Sequence, residues 1–245
     1  DYVAKSAPDG HTIGMAVTPM VILPALRASM PYDTVKDLAG VTMTAVSSIM
    51  IAASPTLEAN TLAELIALAK KRPGKLTYAS PGSGSSMHLA FELLKQSTGI
   101  DILHVPFKGG AQAYTEVMAG RVDLQLDPTF GIYRYVKAGK MKGIAVTSAK
   151  RDPSSPEVPA VAETLPEFEF LSINGIIVPR ATPRDLVLRL NADFRKVLQM
   201  PDISKRMLEL GLEPVGNSPE EFDAFIRSEL ARWTKVAKSA GIKLD

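Results

Sequence analysis

The sequence contains no cysteine. Disulfides, thiol nucleophiles and cysteine-ligated zinc or iron–sulfur sites are thereby excluded. Compartment is left open by this absence, since exported bacterial domains lack cysteine too. Charge of one sign is also scarce: 28 Lys and Arg against 26 Asp and Glu leave a formal net charge of +2. That supplies no dominant field for nucleic acid or an anionic membrane. Short basic runs such as Lys70-Lys71-Arg72 and Lys150-Arg151 read as solvated, the first at a predicted helix end where cations suit the dipole. Long apolar runs are missing as well. The best, residues 41–53, is interrupted by Thr and Ser, and nothing approaches the ~18 apolar residues of a membrane span. No secretory signal pattern is present, so the chain is either cytoplasmic or supplied without its export signal. Histidine occurs only three times, and neither H-E-x-x-H nor a His/Asp cluster with metal spacing appears.

What is present suits a globular α/β protein: 46% hydrophobic and 22% charged over 245 residues, enough for one large or two medium domains. Strand patterns fall at 11–17, 41–53, 75–79, 101–105, 122–126, 143–147 and 175–178. Helix patterns cover 62–71, 87–97, 110–119, 131–138, 184–199, 202–210 and 220–239. Such alternation predicts parallel sheets. Thr61–Glu64 and Ser218–Glu221 have the spacing of capping boxes, and Trp233 falls on the apolar stripe of the last helix. Two extended stretches, 41–54 and 172–179, bracket a self-contained βαβαβ block. They read as a chain crossing to a second lobe and back, with a cleft between the two.

Open α/β sheets bind ligands beyond the carboxyl ends of their parallel strands. Three loops follow such ends: Ser80–Ser86, Pro106–Gly110 and Asp127–Gly131. The first ends a strand and opens a helix, which makes it an anion cradle, because the leading N–H groups of a helix lack partners. Gly82 and Gly84 allow close approach, and Ser85 and Ser86 add hydroxyls at the helix start. The loop lacks the lysine of G-x-x-x-x-G-K-[ST], and it fits neither G-x-G-x-x-G nor G-x-S-x-G. Lys108 offers a cation and Asp127 an acceptor on the same predicted rim. A triad of Ser85 or Ser86 with His88 and Asp127 has poor geometry, because serine and histidine lie two or three residues apart on one turn. A serine-dependent α/β hydrolase stays as the alternative. His104 reads as a hydrogen-bonded interior residue.

The motifs taken together resemble the Bug/TctC family of periplasmic solute-binding receptors that serve tripartite tricarboxylate-type transporters. The matching residues include Val3–Gly10 with Thr12, Pro31-Tyr32-Asp33, Thr61–Leu65, Pro73–Leu76, Gly82–Leu89, His104–Gly109, Ala145–Arg151, Leu210–Gly216 and Arg227–Trp233. The resemblance implies a two-lobed fold of the periplasmic-binding type II kind, with residues 1–48 and 172–245 in one lobe and 49–171 in the other. It implies no catalysis, metal or cofactor. It places ligand contact on Thr18, Ser80, Gly82, Ser83, Gly84, Ser85, Ser86, Lys108, Gly109 and Asp127, with His88 adjacent. The implied ligand is a dicarboxylate, a citrate-like acid, an acidic amino acid or an aromatic acid. The implied partners are membrane transporter subunits, or a sensor-kinase ectodomain in a sensing role; the expected state is a periplasmic monomer. Three departures stand out. The family's opening strand, its P-G-G loop and its first helix are not among these residues. Ile173-Asn174 stand where members carry Trp-Phe, and Phe107 replaces the tyrosine of V-P-Y-K-G.

Overall fold

The computed structural model describes residues 1–241. In chain order its first elements are β1 (Gly14–Val17), α1 (Thr18–Leu26), β2 (Leu38–Ala53), α2 (Leu62–Lys71), β3 (Thr77–Ser80) and α3 (Ser86–Thr98). Next come β4 (Leu103–Pro106), α4 (Gly110–Met118), β5 (Leu124–Pro128), α5 (Thr129–Lys137) and β6 (Lys142–Val146). The last are β7 (Leu171–Pro179), α6 (Arg184–Leu198), α7 (Pro201–Glu209), β8 (Glu213–Pro214) and α8 (Pro219–Ala240). The chain forms two compact units, Asp1–Ser47 with the chain from Ser172 onward, and Ser48–Leu171. The 16-residue β2 contributes to both.

In the first unit β7 lies between β1 and β2, and β1 runs antiparallel to it from Gly14↔Ile177 to Val17↔Asn174. The buried stripe of α8 carries Phe222, Ile226, Trp233, Val236 and Ala237. Its start is secured by a reciprocal capping box: Glu221 N donates to Ser218 Oγ at 3.2 Å, and Ser218 N donates to Glu221 Oε2 at 2.8 Å. Trp233 is buried and donates its indole N–H to Glu229 Oε2 at 2.8 Å. The helix α1 has no counterpart among the sequence patterns. Its residues TPMVILPAL show no polar face, and Pro24 removes an internal hydrogen bond. Burial of Met20, Val21, Ile22 and Leu26 outweighs that loss.

In the second unit β3 pairs in parallel with β4 on one side and β5 on the other. The strand β2 then pairs antiparallel with both β5 and β6. The parallel expectation therefore holds for β3, β4 and β5 and fails for β2. Alternation constrains direction only where consecutive strands are joined within one sheet, whereas β2 enters from the other unit and pairs with strands much later in the chain. Strand ends also move. The patterns at 75–79, 101–105 and 122–126 become Thr77–Ser80, Leu103–Pro106 and Leu124–Pro128, so Ser80 and Asp127 end strands instead of opening loops.

A glycine on β7 sets how closely α8 approaches its unit's sheet. A Cβ added at Gly175 would lie 2.3 Å from Phe222 Cζ and 3.0 Å from the Thr42 carbonyl oxygen. Gly175→Ala should therefore lower unfolding free energy by about 1–3 kcal/mol in urea titrations, through overpacking. An unchanged midpoint would show that Phe222 yields freely.

Candidate functional site

The second unit gathers the loops into one edge. Because β5, β3 and β4 are parallel neighbours, the turns leading into α5, α3 and α4 leave the sheet at the same end. Backbone contacts tie the first two parallel strands at this end: Phe107 N donates to Ser80 O at 2.9 Å.

The cradle before α3 is built by local hydrogen bonds. Ser85 caps the helix by accepting His88 N at 3.3 Å. Gly82 and Gly84 take φ values of +139° and +76°, in the region that favours glycine. Gly82 N donates to Ser80 Oγ at 3.1 Å, and Gly84 N donates to His88 Nδ1 at 3.0 Å. Among the described residues, the N–H groups of Ser83, Ser86 and Met87 have no acceptor. Three such donors, in the turn before and at the first residues of a 13-residue helix, are the kind of groups that suit an anion. Ser83 is exposed, while Ser85 and Ser86 are half-buried.

Behind the cradle lies an aromatic ladder that was not legible as a unit. Phe91 stacks on Tyr78 with ring centroids 3.9 Å apart, Tyr78 on His104 at 4.9 Å, and His104 on His88 at 4.0 Å. The register Tyr78↔His104 across β3 and β4 brings the middle pair together. His104 Nε2 lies 2.6 Å from Ser80 Oγ, so His104 supports the cradle from a strand some distance away in sequence. Burial pushes His104 down to about 4, with the neighbouring His88 adding to the effect. Burial likewise lowers His88, partly countered by Glu92. With Nδ1 accepting from Gly84, neutral His88 carries its proton on Nε2.

At the next turn Gly109, with φ +109°, precedes α4 and provides no side-chain cap. Lys108 is exposed and makes no ion pair among the described residues. Asp127 accepts a hydrogen bond from Tyr114 Oη of α4. Burial raises the Asp127 carboxyl above the usual carboxylate range, and the Tyr114 bond opposes that shift. Burial and the Asp127 hydrogen bond raise the Tyr114 hydroxyl in turn. Deeper still, Ser48 Oγ and Thr129 Oγ1 are 2.6 Å apart at the start of α5.

Ser80, Gly82–Ser86, His88, Lys108, Gly109 and Asp127 thus belong to one edge of one unit. Thr18 belongs to the other unit, where it is buried at the first position of α1 and accepts Ile173 N at 2.9 Å. The Ser–His–Asp arrangement considered from sequence is not assembled. His88 Nδ1 is taken by Gly84, Ser85 serves as a cap, and Asp127 is bonded to Tyr114. The sequence read His104 as a hydrogen-bonded interior residue, and its bond to Ser80 agrees; Tyr114 and Gln125 are the residues that sequence reasoning missed. The one signal for the last was a polar residue at the same parity as Asp127 in the alternating run V-D-L-Q-L-D. Among the described residues no cluster of three or more His, Cys, Asp or Glu could hold a metal ion. None of their helices is long and apolar enough to cross a membrane.

Comparison with known proteins adds to this geometry. Residues 1–242 match the family described as tripartite tricarboxylate transporter family receptor. A UPF0065 protein from the tcbD-tcbE intergenic region of Pseudomonas sp. strain P51 is 35% identical over 238 residues, covering 96% of this chain and 71% of that protein. The structure of R. palustris Rpa4515 with adipate is 34% identical with a TM-score of 0.85, covering 99% of this chain and 82% of its own. The structure of MatC (Rpa3494) from Rhodopseudomonas palustris with bound malate is 28% identical with a TM-score of 0.78, covering 96% and 82%.

The histidine ladder generates a pH prediction. Lowered folded-state values mean that the unfolded chain binds more protons, so stability is full above about pH 6.5 and declines as pH falls toward 4. His104→Gln should flatten that decline when Tm is followed from pH 7 to pH 4. An unaltered slope would remove His104 as its source.

Proposed function

The chain belongs to the tripartite tricarboxylate transporter receptor family, a family of solute-binding receptors and not of enzymes, and from that premise we propose that it binds a small carboxylate and delivers it to a membrane transporter. One observation carries this reading: the N–H groups of Ser83, Ser86 and Met87 are left unpaired beside Gly82 and Gly84, which keep the backbone open. Such a nest suits a carboxylate, which accepts several hydrogen bonds and gains from the helix dipole. Its setting favours gripping over cleavage, since one nitrogen of each nearby histidine, His88 Nδ1 and His104 Nε2, is spent on supporting the loop.

Lys108 and Asp127 give the edge a cation and an acceptor for a second polar group. The carboxylates bound by the two similar structures, adipate and malate, fit a ligand with an anionic end and a second polar end. On this reading the ligand shifts an equilibrium between open and closed arrangements of the two units, and the transporter recognises the closed one. Thr18 is a further proposed ligand contact. The place of action is the periplasm, and the acting form is a monomer.

Thermal unfolding against a panel of mono- and dicarboxylates tests the proposal. A true ligand raises stability by RT ln(1+[L]/Kd), about 2.7 kcal/mol at one hundred times Kd. The double substitution Ser85→Ala, Ser86→Ala should weaken binding at least tenfold in calorimetry while the far-UV spectrum stays native. Absence of any shift across the panel, or undiminished affinity in the double variant, would sink this assignment.

A further inference from the structure

Gln125 has no task in the site as described so far. It shares one face of β5 with Asp127, because strand side chains alternate. That face looks at the first turn of α4. A Cβ placed on Gly110 would lie 2.9 Å from Asp127 Oδ2 and 3.9 Å from both Gln125 Nε2 and Tyr114 Cε2. Gln125 is completely buried, and its sheet neighbours in register are Ala52 and Ala79. Neither amide atom has a hydrogen-bond partner. The polar side chains on either side of it are both engaged: Asp123, just before the strand, accepts Thr77 N and Oγ1, and Asp127 accepts Tyr114 Oη.

A buried amide with both ends unmet is a net burden on the fold, and a methionine of similar volume would fill the place without one. The amide is aimed at the start of a nine-residue helix that no side chain caps. Burial of both amide atoms and an uncapped helix start are separate observations, and both point to a ligand group at this spot.

We propose that Gln125 determines specificity at the carboxylate site, meeting the ligand end that lies away from the α3 cradle. This rests on the receptor reading above. The amide has a donating NH2 and an accepting oxygen, so it favours an end that both accepts and donates: a hydroxyl, a carboxamide or a carboxyl that keeps its proton. A fully ionised second carboxylate would leave Gln125 Oε1 unmet and would face Asp127 at close range. Entry is by displacement of the Gly109-Gly110 turn, where two successive glycines oppose movement least.

Calorimetry on the intact chain decides the matter with two matched series: adipate, its monoamide, 6-hydroxyhexanoate and hexanoate, and succinate, succinamate, 4-hydroxybutyrate and butyrate. In the wild type, the monoamide and hydroxy acid of the better-bound series should exceed both the plain acid and the diacid at least tenfold in affinity. Gln125→Met should bring those ratios to within about twofold of one, while the Tm of the ligand-free protein stays level or rises. Ratios retained by Gln125→Met, or a wild type indifferent to the polar end, would overturn the assignment of Gln125. A Gln125→Met chain that fails to fold overturns it also, since the amide would then be serving the ligand-free fold. A wild type that binds none of these acids and none of the broader panel instead defeats the receptor reading, and the role of Gln125 falls with it.

Discussion

The parallel pairing of β3 with β4 and β5 is the constraint from which the site follows, because it brings three strand ends and three helix starts to one edge of a single unit. Helix starts carry unpaired N–H groups, and their dipoles point the same way. An edge with two of them uncapped and the third only partly capped is electrostatically suited to an anion without any excess of basic residues. This reconciles the near-neutral composition with a carboxylate-binding family. Affinity in such a site arises from oriented backbone more than from net charge.

The same pairing explains why the cradle keeps its shape. Tyr78 and His104 face each other across β3 and β4, and the ring stack from Phe91 to His88 braces the loop from behind. His88 holds Gly84 while His104 meets Ser80, so both histidines act as neutral hydrogen-bonding supports. Holding them neutral has a consequence for acid stability, as the lowered values of both groups indicate. Rigidity at the loop is thereby coupled to protonation in the core behind it.

Burial distinguishes the cradle from the strand face beneath α4. Ser83, Ser85 and Ser86 retain access to solvent, whereas Gln125 is sealed among Ala52 and Ala79 and Asp127 is held by Tyr114. On the proposed reading, a carboxylate held at the exposed nest would have its far end meet groups that discriminate by hydrogen-bond complementarity. Unsatisfied polar groups discriminate strongly, because the wrong partner leaves them buried and unpaired.

Local chemistry was legible in the residues themselves. The glycines at 82 and 84, the serine cap at 85 and the capping box at Ser218 each depend on neighbours a few positions away, so their reading needs no knowledge of the fold. The motifs also carried the family resemblance along nearly the whole chain. Helix α1 escaped notice because its two prolines and lack of a polar face oppose the usual signals, and only burial makes it helical. The antiparallel course of β2, the meeting of Ser80 with His104 and the isolation of Gln125 were decided by tertiary structure alone. Each depends on strand register between segments far apart in sequence, and register is set by the packing of whole faces rather than by any residue's own preference.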